Sequence, residues 1–197
     1  RIENDFIIGL QDAHPDRFIG FGQVMPQADD AIEEITRLAE AGIRGLKLHP
    51  SMHGYHVADH GLLDPVFREC ARHGMTVIIN ALDDAFCAPF AIEEIVKDHP
   101  DVPTIIAHMG AVWNVPEAII VAERRENVYL ETSATLMADV KRAYARPRAD
   151  KILRGTEWPG SDFDIERLKI SKVVTDPADR ALVEGGNFAR LLGIDAS

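Results

Sequence analysis

Six short segments rich in apolar and β-branched residues recur along the chain, each followed by a stretch with helical spacing, and this rhythm constrains the fold more than any other feature. They are Phe18 to Val24 (FIGFGQV), Ile43 to His49 (IRGLKLH), Thr76 to Asn80 (TVIIN), Thr104 to His108 (TIIAH), Val128 to Thr132 (VYLET) and Lys151 to Glu157 (KILRGTE). Most are continuously apolar in the middle, the mark of strands covered on both faces in a parallel sheet. One helix between each pair of strands implies right-handed crossovers, and so a parallel sheet that is either doubly wound or closed into a barrel. No GxGxxG or GxxxxGK[ST] follows any of these strands, which removes the usual nucleotide-binding grounds for an open sheet.

The helices are signalled by their ends. Asp29 is a good N-cap for a helix with Ile32, Ile35, Leu38 and Ala39 on one face, Glu33 and Glu34 in its first turns and Gly42 as its stop. Further helices are expected over about Asp64 to His73, with Pro65 in the first turn, over Pro89 to Asp98, over Pro116 to Arg125 and over Pro177 to Leu192. The last of these is expected to break at Gly185-Gly186, with Asn187 as a fresh cap.

A closed (β/α) barrel takes eight units and about 250 residues, whereas six strand segments are legible in these 197 residues. The chain opens on Arg1 inside a helical pattern instead of on Met. The expectation is one domain over residues 1–197 forming most of a TIM-type barrel, with strands three to eight present and the first two units absent.

Composition narrows the function classes. With 21 Lys and Arg against 32 Asp and Glu the net charge is −11, a balance that repels a phosphate backbone and argues against nucleic acid as a partner. Cys70 and Cys87 have no CxxC or finger spacing around them, so neither a disulfide framework nor a zinc finger is indicated, and a reducing, cytoplasmic setting fits. No apolar run approaches the roughly 20 residues of a membrane span.

The chemistry lies at the strand ends. The final polar residues are Gln23, Lys47 with His49, Asn80, His108, Glu131 and Glu157, and a barrel enzyme gathers its ligands and acid/base groups from these positions. His108 closes an apolar strand just before a Gly turn and is a candidate catalytic residue. Glu157, between a Gly-Thr and a Trp-Pro turn, is a candidate metal ligand or proton shuttle. Lys47 inside an apolar strand needs a charge partner or a shifted pKa, and pairing with Glu131 or Glu157 is its plainer explanation. His49 and Asn80 are candidate substrate contacts, and Trp113 is a candidate pocket wall. The His-rich segment Ser51 to Leu62 has the length of a loop that shapes a pocket.

Taken in order, HPDRFIGFGQV, GIRGLKLHP, TIIAHMG, ILRGTEWPG and GGNFARLLGI resemble the amidohydrolase-related family of metal-dependent (β/α)8 barrels over nearly the whole chain. The resemblance implies hydrolase or decarboxylase (lyase) chemistry on a small carboxylated compound. It also implies a divalent metal, zinc by preference, held by an HxH pair on the first strand, a His on the fifth, often a His on the sixth and an acid on the eighth. By strand order these last three positions fall on Asn80, His108 and Glu157, and no HxH occurs in the chain. His108 and Glu157 are therefore the expected metal ligands, with Glu157 as proton shuttle and Lys47 or His49 holding a substrate carboxylate. Asn is a weaker donor than imidazole, so the competing expectation is a catalytically silent barrel that serves as a binding or assembly subunit. An open barrel edge would call for a second copy or a partner segment to cover it.

Overall fold

The structure, a computed structural model, describes residues 1–146 and 148–194. Helix α1 (Ile2–Ala13) is followed by β1 (Phe21–Gln23), α2 (Ala31–Glu40), β2 (Gly45–Leu48), the single turn α3 (Pro50–His53) and α4 (His60–Arg72). Then come β3 (Thr76–Asn80), α5 (Pro89–Val96), β4 (Thr104–Ala107), α6 (Ala111–Arg124), β5 (Val128–Glu131) and α7 (Met137–Ala145). The chain closes with β6 (Ile152–Leu153), α8 (Phe163–Val173), α9 (Pro177–Ala181) and α10 (Asn187–Leu192). The strands form one parallel sheet in sequential order, β1 to β6, the order of an arc of a barrel.

One face of the sheet is closed and the other is half-open. Leu46 and Leu48, Val77 and Ile79, and Val128 and Leu130 are fully buried in the core. Their alternating neighbours Lys47, Ile78, Tyr129 and Glu131 keep part of their surface exposed. The expectation of strands covered on both faces therefore holds for β4 and β6, which are buried throughout, while β2, β3 and β5 are covered fully on one face only, because period-two alternation survives beneath a run that reads as uniformly apolar.

Several expected boundaries move. Asp59, not Asp64, caps α4, its side chain accepting from Leu62 N, and Pro65 lies inside the helix. The segment from Ser51 to Leu62 is consequently part helix and not one long loop. The strand expected to run to Glu157 ends at Leu153, which leaves Glu157 on the following loop. Asn187 does not cap α10 by its side chain. It is buried instead, and its Nδ2 donates to Ala149 O at 2.7 Å and Ile152 O at 2.8 Å, holding the C-terminal helix against β6.

Edge strand β1 is blunted by a side chain. Asn4 of α1 accepts from Gln23 N at 2.9 Å and donates to Gln23 O at 2.8 Å, completing both backbone groups as a neighbouring strand would. The same Nδ2 donates to Glu34 Oε1 at 2.8 Å, and Arg37 donates to both oxygens of that carboxylate. The Arg37 hydrogen bonds outweigh burial and hold the Glu34 carboxyl down at about 2. Because this lies below its unfolded value, the stabilisation is complete above about pH 4.5 and is lost as pH falls toward 2. Glu34→Gln is expected to cost about 2 kcal/mol at pH 7 by urea denaturation, and the deficit should shrink at pH 3; an unchanged deficit would remove the ion pair from the account.

Candidate functional site

His108 follows β4 directly and is buried. From it the backbone runs through four consecutive left-handed residues, His108 (φ 57), Met109 (φ 49), Gly110 (φ 77) and Ala111 (φ 54). Three of these carry side chains, and such conformations cost roughly 1–3 kcal/mol each and cluster at functional sites. Side chains from β5 and from the loop after β3 brace the turn. Glu131 Oε2 accepts from His108 N at 3.1 Å, and Asp83 accepts from Val112 N at 3.1 Å and Trp113 N at 2.8 Å, capturing first-turn N–H groups of α6.

The His108 ring lies between two strands. Its Nδ1 is 2.9 Å from Ser133 Oγ, and its Nε2 is 3.2 Å from Asn80 Oδ1 and 3.6 Å from Glu157 Oε2. Ser133 Oγ in turn donates to Glu131 Oε2 at 2.7 Å, and Ser133 N donates to Glu131 Oε1. Gly155 makes room for this carboxylate, since a Cβ there would lie 1.7 Å from Glu131 Oε1. The turn carrying Ser133 is also held from α8, where Lys169 Nζ donates to Thr132 O at 2.8 Å and Thr135 O at 3.0 Å while pairing with Glu166 at 2.7 Å.

Lys47 sits one strand pair away, in register with Gln23 of β1 and Ile78 of β3. Burial lowers its pKa from the usual lysine value, and the charges of Glu131 and Glu157 oppose the shift. Lys47 lines a cavity of about 560 Å³ with Ile2, Phe6, Ile7, Phe21 and Ile78, and with the polar side chains Glu3, Asn4 and Gln23 at its edge, within the size range of small-molecule sites. A lysine with a lowered folded pKa costs stability at every pH below that value. The cost is relieved as pH rises from it toward 10.5. Lys47→Met is therefore expected to raise the unfolding free energy by about 1 kcal/mol near neutral pH. The same change should raise KM for a carboxylate substrate by roughly 10- to 100-fold, the worth of one charged hydrogen bond. Denaturant melts and steady-state kinetics read the two effects, and a destabilised variant with unchanged KM would contradict both.

The expected site residues separate into two groups. His108, Asn80 and Glu157 come together, and Lys47 feels the charges of Glu131 and Glu157. His49 turns to its own loop, where Nδ1 accepts from Met52 N at 3.3 Å as the cap of α3. Its pKa is lowered, first by burial and then by the Lys47 charge. Trp113 is 80% exposed on α6. Glu157 stands at φ 52 with its side chain 52% exposed, a loop carboxylate reaching over the site instead of a strand-end residue. Ser133 and Gly155 are not among the residues the sequence singles out, and Glu131 is there a strand-end polar residue and a partner for Lys47, without a link to His108. The available signal was the run Glu131-Thr132-Ser133, two polar side chains on the same face of a strand end.

Among the described residues no three His, Cys, Asp or Glu side chains form a group that could hold a metal. His108 and Glu157 supply two donors, and catalytic zinc takes three protein ligands. The position that would add one is Asn80, whose Nδ2 is buried without a hydrogen-bond partner and whose carbonyl is a weak zinc donor. Lys47 adds positive charge beside the same carboxylates. The described residues do not by themselves fit a zinc site.

No helix among the described residues is long and apolar enough to cross a membrane. Comparison with curated proteins finds no match. Among solved structures, the chain is similar to 5-carboxyvanillate decarboxylase LigW from Sphingomonas paucimobilis, with a TM-score of 0.81 at 17% identity over 98% of this chain and 71% of that one. It is also similar to a dihydroxybenzoic acid decarboxylase from Polaromonas with bound manganese and 2-nitroresorcinol, with a TM-score of 0.79 at 17% identity over 98% and 74% of the two chains. A third is a probable 2-pyrone-4,6-dicarboxylic acid hydrolase from Acinetobacter baumannii with bound citric acid, at 0.78 and 15% over 97% and 79%. These likenesses establish the barrel-type fold. The amidohydrolase family model matches residues 2–194, and the chain belongs to the amidohydrolase family.

Proposed function

We propose that this chain carries out acid–base chemistry, decarboxylation or hydrolysis, on a small carboxylated compound. The observation that carries the reading is the meeting of a buried imidazole, His108, with the Glu157 carboxylate at 3.6 Å, together with a partly buried lysine, Lys47, that feels the Glu131 and Glu157 charges and lines a largely apolar cavity. Lys47 fixes a substrate carboxylate. His108 Nε2 and Glu157 Oε2 flank the position where a proton is delivered to the carbon that loses CO2, or is taken from water attacking an ester. Partial burial of Lys47 beside Phe21 and Ile78 strengthens its attraction for a carboxylate. The carboxylated compounds in the names of the similar decarboxylases and hydrolase support this substrate class.

No step is assigned to a metal. If a divalent ion takes part, His108 and Glu157 are the groups that would touch it, and further protein ligands would have to lie beyond the described residues. The competing reading, a silent barrel used for binding or assembly, is favoured by Asn80 at an expected ligand position. A panel of hydroxybenzoates and dicarboxylate lactones separates the two when assayed for CO2 release and ring opening, with and without added Mn2+ or Zn2+. Turnover of at least one compound is expected; no turnover of any under either condition favours the silent barrel.

A further inference from the structure

The hydrogen bonds around His108 specify where its proton sits. Glu131 receives only donors at close range: His108 N and the Ser133 hydroxyl on Oε2, and Ser133 N on Oε1. The single hydroxyl proton of Ser133 is therefore committed to Glu131, so Ser133 Oγ can only accept from His108 Nδ1, 2.9 Å away. A neutral imidazole with its proton on Nδ1 carries a lone pair on Nε2. Asn80 meets that lone pair with its own carbonyl oxygen at 3.2 Å, while its Nδ2 is buried without a partner. A half-turn of the amide about χ2 replaces the O···N contact with an N–H···N bond and leaves the amide oxygen, in place of the nitrogen, at the unpartnered position.

We propose that Glu131, acting through the Ser133 hydroxyl, fixes His108 as the Nδ1–H tautomer and aims its Nε2 lone pair at the Asn80 amide and the Glu157 side of the site. Glu131 and Ser133 are positioning residues. Gly155 is what lets Glu131 reach them, and the Lys169 clamp on Thr132 and Thr135 keeps Ser133 at its station. The inference deepens the proposed function by leaving Nε2 without a proton of its own, so that it accepts from the Asn80 amide at rest and from a reacting group once that bond is given up, and it rests on that reading only for the catalytic consequence.

Long-range 1H–15N correlation on the histidine-labelled chain at about pH 8, where an ordinary imidazole is neutral, reads the tautomer without any substrate. The His108 signals, assigned by their loss in His108→Asn, are expected to show a protonated Nδ1 and an unprotonated Nε2. Glu131→Gln must turn an amide donor toward the Ser133 hydroxyl or toward a backbone N–H, and Ser133→Ala deletes the link. Both are expected to populate the Nε2–H form, while Ser133→Thr, which keeps the hydroxyl, retains Nδ1–H. Should Glu131→Gln fail to fold, the Ser133→Ala and Ser133→Thr pair decides the matter. An Nε2–H tautomer in the unsubstituted chain, or Nδ1–H persisting in Ser133→Ala, overturns the proposal. The expected tautomer without turnover of any carboxylate would sink the proposed function alone.

Discussion

Replacing Gly155 by alanine is expected to lower turnover by roughly 100-fold or more, the usual consequence of displacing a catalytic constellation by about 1 Å. The added Cβ would meet Glu131 Oε1 at 1.7 Å and Glu131 Cδ at 2.3 Å, separations at which one group must leave. Gly155 N is tied to Thr132 Oγ1 at 3.3 Å, and its loop follows β6 directly, so the carboxylate is the freer of the two. Moving it releases His108 N, Ser133 N and Ser133 Oγ together. Those bonds brace the left-handed turn at His108, so an unfolding cost of about 1–3 kcal/mol, typical of overpacking, accompanies the lost activity. Steady-state kinetics with a denaturant melt on the same preparation reads both. Full activity in Gly155→Ala would show that Glu131 is not part of the working site.

His108→Ala removes the imidazole from between Ser133 and Asn80. General acid–base catalysis is worth about 10²- to 10⁴-fold, and turnover is expected to fall by that factor with KM little changed, because Lys47 still holds the carboxylate. Buried Asn80 and Ser133 lose a partner as well, which adds about 1–3 kcal/mol of destabilisation. The left-handed backbone at His108 gains nothing from alanine, so strain relief does not mask that loss.

Much of the fold was legible in the sequence because its signals are local and repeated. Four of the six strands, β2 to β5, are anchored by aliphatic pairs such as Leu46 and Leu48 or Val77 and Ile79, and these are among the residues the structure buries most deeply. The edge strand β1 (Phe21–Gln23) has no such pair, and in the last strand Ile152 and Leu153 alone pair with β5, the polar run beyond them lying outside the strand. Helix starts were misplaced where an internal proline resembled a first-turn residue, as at Pro65 and Pro116. Asn187 resembled a cap, although its amide serves the Ala149 and Ile152 carbonyls across a long sequence separation.

The site was legible in part for a similar reason. His108, Asn80 and Lys47 stand at or within strands, so the strand-end rule locates them. Glu157 joins them by a loop excursion that no periodicity encodes. Ser133 and Gly155 act through contacts across two strands, with Gly155 serving only by lacking a side chain where Glu131 passes. Local sequence carries no sign of such a vacancy.

The most direct measurement is the rate of CO2 release or ring opening by the unsubstituted chain on its best carboxylated substrate, alongside His108→Ala and Lys47→Met. The account predicts measurable turnover, a kcat loss of about 10²- to 10⁴-fold in His108→Ala and a rise dominated by KM in Lys47→Met. Undiminished kcat in His108→Ala would contradict it.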